Sequence, residues 1–207
     1  MAWAPDYCTA AELKSWLRIG DAADDALLAF AITAASRAID AHCGRQFGQL
    51  TAAVTRYYTW DGVTHDGRSL LVTDDLYTTA TLTISVDTAG DGLTPVALAA
   101  ADYDLWPANA AADAVPWKGF LLRKASAAPF SRYARGIEVA ARWGWASVPI
   151  DVVQATLMQA ARLFARRNAP FGVAGSPELG SEMRLLAKLD PDVAAGLSHL
   201  RRPWAAA

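Results

Sequence analysis

The run Ile137-Glu138-Val139-Ala140-Ala141-Arg142-Trp143, followed by Gly144-Trp145, then Val148-Pro149 and a helical pattern lasting to Arg167, decides how this chain folds. Ile137, Val139, Ala141 and Trp143 alternate with Glu138, Ala140 and Arg142, which predicts a half-buried strand. Gly144 lets the backbone turn between two indoles. Pro149 suits the first turn of a helix, where its missing N–H leaves nothing unpaired. Beyond it Val153, Leu157, Ala160, Ala161 and Phe164 share one helical face, and Arg162, Arg166 and Arg167 crowd the last turns, where cations complement the helix dipole. A strand therefore hands over to a long helix, with Trp143, Gly144, Trp145 and Pro149 at the junction. The stretch carries structural instructions and no catalytic ones.

Upstream, Thr9-Ala10-Ala11-Glu12 is a capping box that starts a helix with Leu13, Trp16 and Leu17 on one face. Gly20 is placed to end it. Asp21 is expected to open a second helix, with Asp24 and Asp25 in its first turn, a stripe of Leu28, Ile32, Ala35 and Ile39, and Gly44 as its stop. Near residue 50 alternation replaces the helical period. Strands are predicted over 54–60, 69–72 (pairing back on 54–60 through the turn signals Asp61-Gly62 and Asp66-Gly67), 81–86, 96–98, 103–106, 120–123 and 137–143. Ala89-Gly90-Asp91-Gly92 reads as a hairpin loop and 107–116 as a surface loop.

After the long helix, residues 172–181 read as a flexible connection. Short helices follow over 182–189 and 191–200, the latter aligning Val193, Leu197 and Leu200, and the chain ends Arg201-Arg202-Pro203-Trp204. The expected fold class is α+β: N- and C-terminal helices form a bundle, with Leu28, Ile32, Ile39, Val153, Leu157 and Phe164 packing it, and a mainly antiparallel β-module is inserted between them. The parts are expected to be residues 6–48, 49–146, 147–172 and 173–207.

Composition narrows the function. A net charge of −2 gives no global drive onto nucleic acid or an anionic membrane. Hydrophobic residues reach 53%, with Ala the main contributor, which hints at surface buried against partners. No secretory signal is evident and no apolar run reaches the ~18 residues of a membrane span. With only Cys8 and Cys43, an intracellular synthesis site is expected and a disulfide framework is not. His42-Cys43 lacks the paired spacing of a structural zinc site, and packing is its reading. There is no Gly-x-Ser-x-Gly elbow around Ser176, no phosphate loop and no EF-hand. Asp24-Asp25 and Asp74-Asp75 are adjacent pairs whose side chains diverge. Asp190 and Asp192 bracket Pro191 as a helix start. His65 and His199 are expected on solvated surface. No catalytic residue, cofactor or metal is expected. Arg162, Arg166 and Arg167 suit phosphates and a helix C-terminus equally. The Arg201–Trp204 tail is the stronger candidate contact, since Arg and Trp are favoured at interface hot spots.

In order and spacing, three patches resemble the head-to-tail connector (adaptor) proteins of long-tailed bacteriophages and gene transfer agents. The first runs over 7–47, with Thr9-x-x-Glu12-Leu13-Lys14-x-Trp16-Leu17, Asp24-Asp25-x-Leu27-Leu28 and Ala34-Ala35-Ser36-x-x-Ile39-Asp40-x-x-Cys43-Gly44-Arg45-x-Phe47. The second runs over 139–167, with Gly144-Trp145 and Val148-Pro149. The third is Leu189-Asp190-Pro191-Asp192-Val193 through Leu200-Arg201-Arg202. The resemblance implies a virion structural protein, assembled in the host cytoplasm, that forms a ring, typically dodecameric, beneath the portal. Such a ring extends the DNA channel and meets a stopper or tail-completion protein, with double-stranded DNA nearby and no membrane. It further implies that Asp190, Pro191, Val193, Leu197, Leu200, Arg201, Arg202 and Trp204 dock on the portal. The β-module matches only in placement. The competing reading is a non-enzymatic DNA- or host-protein-binding α+β module using the arginine-bearing helix and the β-face.

Overall fold

The computed structural model describes residues 4–92, 95–166 and 189–202, together with the backbone of two short strands at 173–174 and 183–184. Contacts divide the chain into two units, Met1–Phe47 with Val148–Ala207, and Gly48–Ser147. The fold is α+β, with helices in the first unit and antiparallel sheets in the second.

In the helical unit, α1 (Ala10–Leu17) opens on the reciprocal capping box: the Glu12 N–H donates to Thr9 Oγ1, and the Thr9 N–H donates to Glu12 Oε2. The expected stop at Gly20 is corrected. Arg18 ends the helix in the left-handed region (φ 58°), its N–H returned to Lys14 and Ser15. Helix α2 (Asp25–Cys43) begins later than Asp21, because the Asp21 carboxylate accepts the Ala23 N–H in a local turn that competes with helix. Gly44 ends it at φ 63°. At 19 residues with a mean hydropathy of 1.2, α2 has the length and composition of a membrane span. Its stripe of Leu28, Ile32, Ala35 and Ile39 is nevertheless buried in protein. Burying Leu28, Ile32 and Ile39 stabilises by roughly 1.5–3 kcal/mol each.

Helix α3 (Ile150–Ala165) starts one residue after Pro149, which occupies the N-cap position with extended backbone. Val153, Leu157, Ala161 and Phe164 are partly buried against the cluster of Cys8, Leu13, Leu28, Ala35 and Ala160. The most deeply buried α3 positions are Val152, Ala155, Thr156, Gln159 and Ala160. The reason is that α3 is covered on two sides, by α1 and α2 on one and by α4 (Pro191–Gly196) on another.

In the second unit β1 (Val54–Tyr58), β8 (Ile137–Ala141), β4 (Thr83–Val86) and β5 (Val96–Leu98) form one antiparallel sheet, in that order. Strands β2 (Thr64–His65), β3 (Arg68–Leu76), β7 (Trp117–Leu122) and β6 (Tyr103–Trp106) form another. Leu71, Leu76 and Phe120 from the second sheet share a core with Ile84, Val86, Ile137, Val139 and Trp143 from the first. The alternation of β8 is as expected: Ile137, Val139 and Ala141 are buried, and Glu138 and Ala140 half-buried. Trp143 lies beyond the strand end, buried, bridged to Leu76. Asp66-Gly67 makes a tight hairpin turn, both residues at positive φ, between β2 and β3. The expected pairing of 69–72 back on 54–60 is corrected: β1 pairs with β8, Val54 opposite Ala141, and β3 pairs with β7. Asp61-Gly62 is no hairpin turn between those strands.

A helix over 182–189 is also corrected. Met183–Arg184 (β10) pairs antiparallel with Val173–Ala174 (β9), while 182 and 185–188 lie outside the described residues. The rest of the 172–181 connection, Ser176, Arg167 and Trp204 are outside them too. The 191–200 helix is α4 followed by a 3-10 turn, Ser198–Leu200.

Candidate interaction surface

Two apolar stripes run along α2, only one of them buried. Leu27 (50% exposed) and Phe30 (76% exposed), continued by Ala34 and Ala41, recur at helical spacing on the side away from Leu28, Ile32 and Ile39. Trp16 on α1 is 51% exposed. The sequence reading missed this surface by following the core stripe alone. The available signal was that Leu27, Phe30, Ala34 and Ala41 form a second apolar stripe off the core face, which a helix covered on one side does not need. Large exposed apolar residues grouped on neighbouring helices mark a contact surface.

The C-terminal segment is latched onto α3. The Asp190 N–H donates to Gln159 Oε1, while the Asp190 carboxylate accepts from Arg162 Nη1 at 2.8 Å and from the Asp192 N–H at 3.0 Å, which caps α4. Pro191 occupies the first turn of α4. Further on, the Arg202 N–H donates to the Cys43 carbonyl at the end of α2. Val193, Leu197 and Leu200 are buried within this unit (3%, 1% and 8% exposed). These three apolar members of the portal-docking set that the resemblance implies are thus packed inside their own unit. Arg201, exposed, and Arg202, half-buried, remain at its surface. Arg162 is taken by Asp190 and Arg166 has partners of its own, so neither is a spare phosphate contact.

At the junction, Trp145 is 5% exposed, and its indole N–H donates to Asp75 Oδ2 at 3.1 Å. Gly144 sits at φ 115°, its N–H bonded to the Asp75 carbonyl. Here glycine is required by the backbone.

Among the described residues no three His, Cys, Asp or Glu side chains group to hold a metal. Cys8 and Cys43 are buried free thiols, each pushed up to about 11 by burial, and so are protonated and unreactive near neutral pH. Tyr7 donates to Asp40 and accepts from the Phe47 N–H, and Arg37 Nε donates to Asp40 at 2.8 Å. Burial raises both the Tyr7 phenol and the Asp40 carboxyl, and the cluster ties the N-terminal strap to α2. His65 lies 3.4 Å from Asp66 and His199 3.5 Å from Asp151, both at the surface.

Residues 8–84 match the family model described as phage gp6-like head-tail connector protein. No curated protein matches the chain. Among solved structures, a chain from the neck of an empty gene transfer agent (GTA) particle, computed with C6 symmetry, is 21% identical with a TM-score of 0.50, covering 92% of this chain and 97% of its own. A chain from the neck of a native GTA particle, computed with C12 symmetry, is 20% identical with a TM-score of 0.47, at the same coverage. The resemblance to head-to-tail connector proteins read from three sequence patches thus stands, carried by the family match over residues 8–84 and by a fold shared with a particle-neck chain.

Proposed function

We propose that the chain is a non-enzymatic head-to-tail adaptor of a tailed particle. Its copies assemble as a ring at the head–tail interface, and the ring joins the portal to a stopper or tail-completion protein. The observation that carries this reading is the connector-family match over residues 8–84. The similar neck chain, from a particle computed with C6 symmetry, supports a rotationally symmetric assembly, and twelve copies are compatible with sixfold averaging. The exposed stripe of Leu27 and Phe30 with Trp16 supplies apolar surface for contact between copies. A net charge of −2 suits a DNA channel, because each neutralised phosphate would add counterion-release affinity and slow passage. The C-terminal segment, through Arg201, Arg202 and the residues after them, is the portal-facing part, and assembly takes place in the host cytoplasm.

Electron microscopy of particles lacking this protein tests the proposal. Filled or fillable heads without tails are expected, and normal tailed particles would reject it. Mass measurement of the purified protein, alone and mixed with portal, tests the ring. Co-sedimentation with portal after deletion of residues 201–207 tests the docking segment, and unchanged attachment would reject that part alone.

A further inference from the structure

The β unit contains an open groove of about 800 Å3 along strand β6, and its lining differs in one respect from the rest of the unit. Buried and half-buried Tyr and Trp side chains ordinarily find a partner for their polar tip. Elsewhere in this unit they do. Trp60 donates to the Val63 carbonyl, Trp143 to the Val54 carbonyl, Trp145 to Asp75, Tyr58 to Asp74 and Tyr77 to the Leu50 carbonyl. The three that line the groove differ: the Tyr103 hydroxyl and the indole N–H groups of Trp106 and Trp117 are open to solvent rather than bonded within the protein. Three aromatic side chains with solvent-reaching polar tips thus line one concave surface, Tyr103 and Trp117 with part of their rings packed against the core of the unit.

The charged groups of the groove are already balanced. Asp104 accepts from Arg68 Nη1 at 2.7 Å and from Arg123 Nε and Nη2 at 2.9 and 2.5 Å. These hydrogen bonds, Arg123 first, hold the Asp104 carboxyl below the usual carboxylate range. With Asp66 also on the lining, two carboxylates face two guanidiniums. A phosphate or a nucleic-acid backbone would therefore meet no net positive charge, and would have to compete with Asp104 for both arginines. A polyhydroxylated, uncharged ligand meets no such obstacle. Its apolar C–H faces can lie on the indoles, and its hydroxyls can accept from the free N–H groups and share the edges of the planar arginine–carboxylate network.

We infer that this groove binds an uncharged saccharide, with Trp106 and Trp117 as stacking platforms and the Arg68–Asp104–Arg123 network as its hydroxyl partner. The activity is separate from the adaptor role, and its failure would leave that role untouched.

The full chain is screened on a microarray of neutral glycans. Those retained are titrated by calorimetry, with inorganic phosphate and a thymidine oligonucleotide as charged probes. Trp106→Ala and Trp117→Ala should each weaken binding at least about tenfold, with Trp106→Phe in between. Because a Trp117 variant could misfold, the wild-type protein carrying 5-fluorotryptophan supplies a second readout. The fluorine resonances of Trp106 and Trp117 should shift on adding the glycan while those of Trp143 and Trp145 stay in place. Retention of no neutral glycan, shifts confined to other tryptophans, or competition by phosphate or the oligonucleotide would overturn the inference. So would loss of solvent access at Trp106 and Trp117 on self-assembly without sugar, which would assign the groove to a protein contact.

Discussion

Replacing Trp145 by Ala tests whether the sequence after β8 is held by its indole. The side chain is 5% exposed and its N–H is a donor to Asp75, itself 3% exposed. Two losses therefore accompany the substitution. Truncating a buried Trp costs about 3–5 kcal/mol through lost burial and the cavity left behind. Withdrawing a donor from a buried carboxylate costs a further ~1–3 kcal/mol. Relaxation overlaps the two terms, so about 4–6 kcal/mol is expected for Trp145→Ala. Trp145→Phe keeps most of the ring and loses the donor, for about 1–3 kcal/mol. Guanidinium unfolding followed by hydrogen exchange at β3 and β8 amides reads this unit without interference from the helices. A Trp145→Ala protein with wild-type protection would refute the packing argument. A Trp145→Phe protein as damaged as the Ala variant would show that the hydrogen bond, and not the ring, carries the effect.

Four further outcomes follow from the geometry. Thr9→Ala removes the hydroxyl that accepts the Glu12 N–H, and should cost the helical unit about 0.5–2 kcal/mol in thermal or denaturant unfolding. Gly119→Ala puts a Cβ 2.3 Å from the Leu71 carbonyl oxygen, a clash with backbone in the adjacent strand, and should lower stability by about 1–3 kcal/mol in the same assay. Asp104 has a depressed carboxyl in the fold, so its contribution is present above the ordinary Asp value of about 4 and is lost as pH falls through the lower folded value. Asp104→Asn should accordingly flatten the acid limb of the stability–pH profile, and an unchanged limb would exclude the network as its source. Asp190→Ala breaks both the Arg162 bridge and the α4 cap. It should speed amide exchange at Ala194 and Leu197 while leaving α2 amides protected.

What was legible in the sequence was local. The capping box at Thr9 and Glu12 closes within one helical turn, and the alternation of Ile137, Val139 and Ala141 needs only that β8 has one core face. The tight turn at Asp66-Gly67 is likewise set by two adjacent residues at positive φ. The pairing of strands was not legible. Val54 lies opposite Ala141, far along the chain, and nothing in the composition of β1 favours that partner over the nearer β3. Helix ends failed for a related reason. Asp21 offered a capping side chain and used it on the Ala23 N–H, and Arg18 took the left-handed position that Gly20 was expected to fill.

The surfaces were harder to read than the fold, because an apolar residue at helical spacing does not say whose atoms will bury it. Val193, Leu197 and Leu200 looked like docking residues and are buried on the chain's own helices, whereas Leu27 and Phe30 sit beside the core stripe of α2 and are exposed. Helical angle separates them only once the partners of α2 are known. Leu28 and Leu27 are neighbours in sequence and differ by about 100° around the helix, which is enough to send one into the core and leave the other exposed. The polar tips in the β unit carry the same lesson in a different currency. Trp60, Trp106, Trp117, Trp143 and Trp145 are indistinguishable as letters, and only the presence or absence of an acceptor beside each indole separates framework from groove. The candidate interaction surfaces of this chain are thus defined by what the fold leaves uncovered, a quantity that exists only after the long-range pairings have formed.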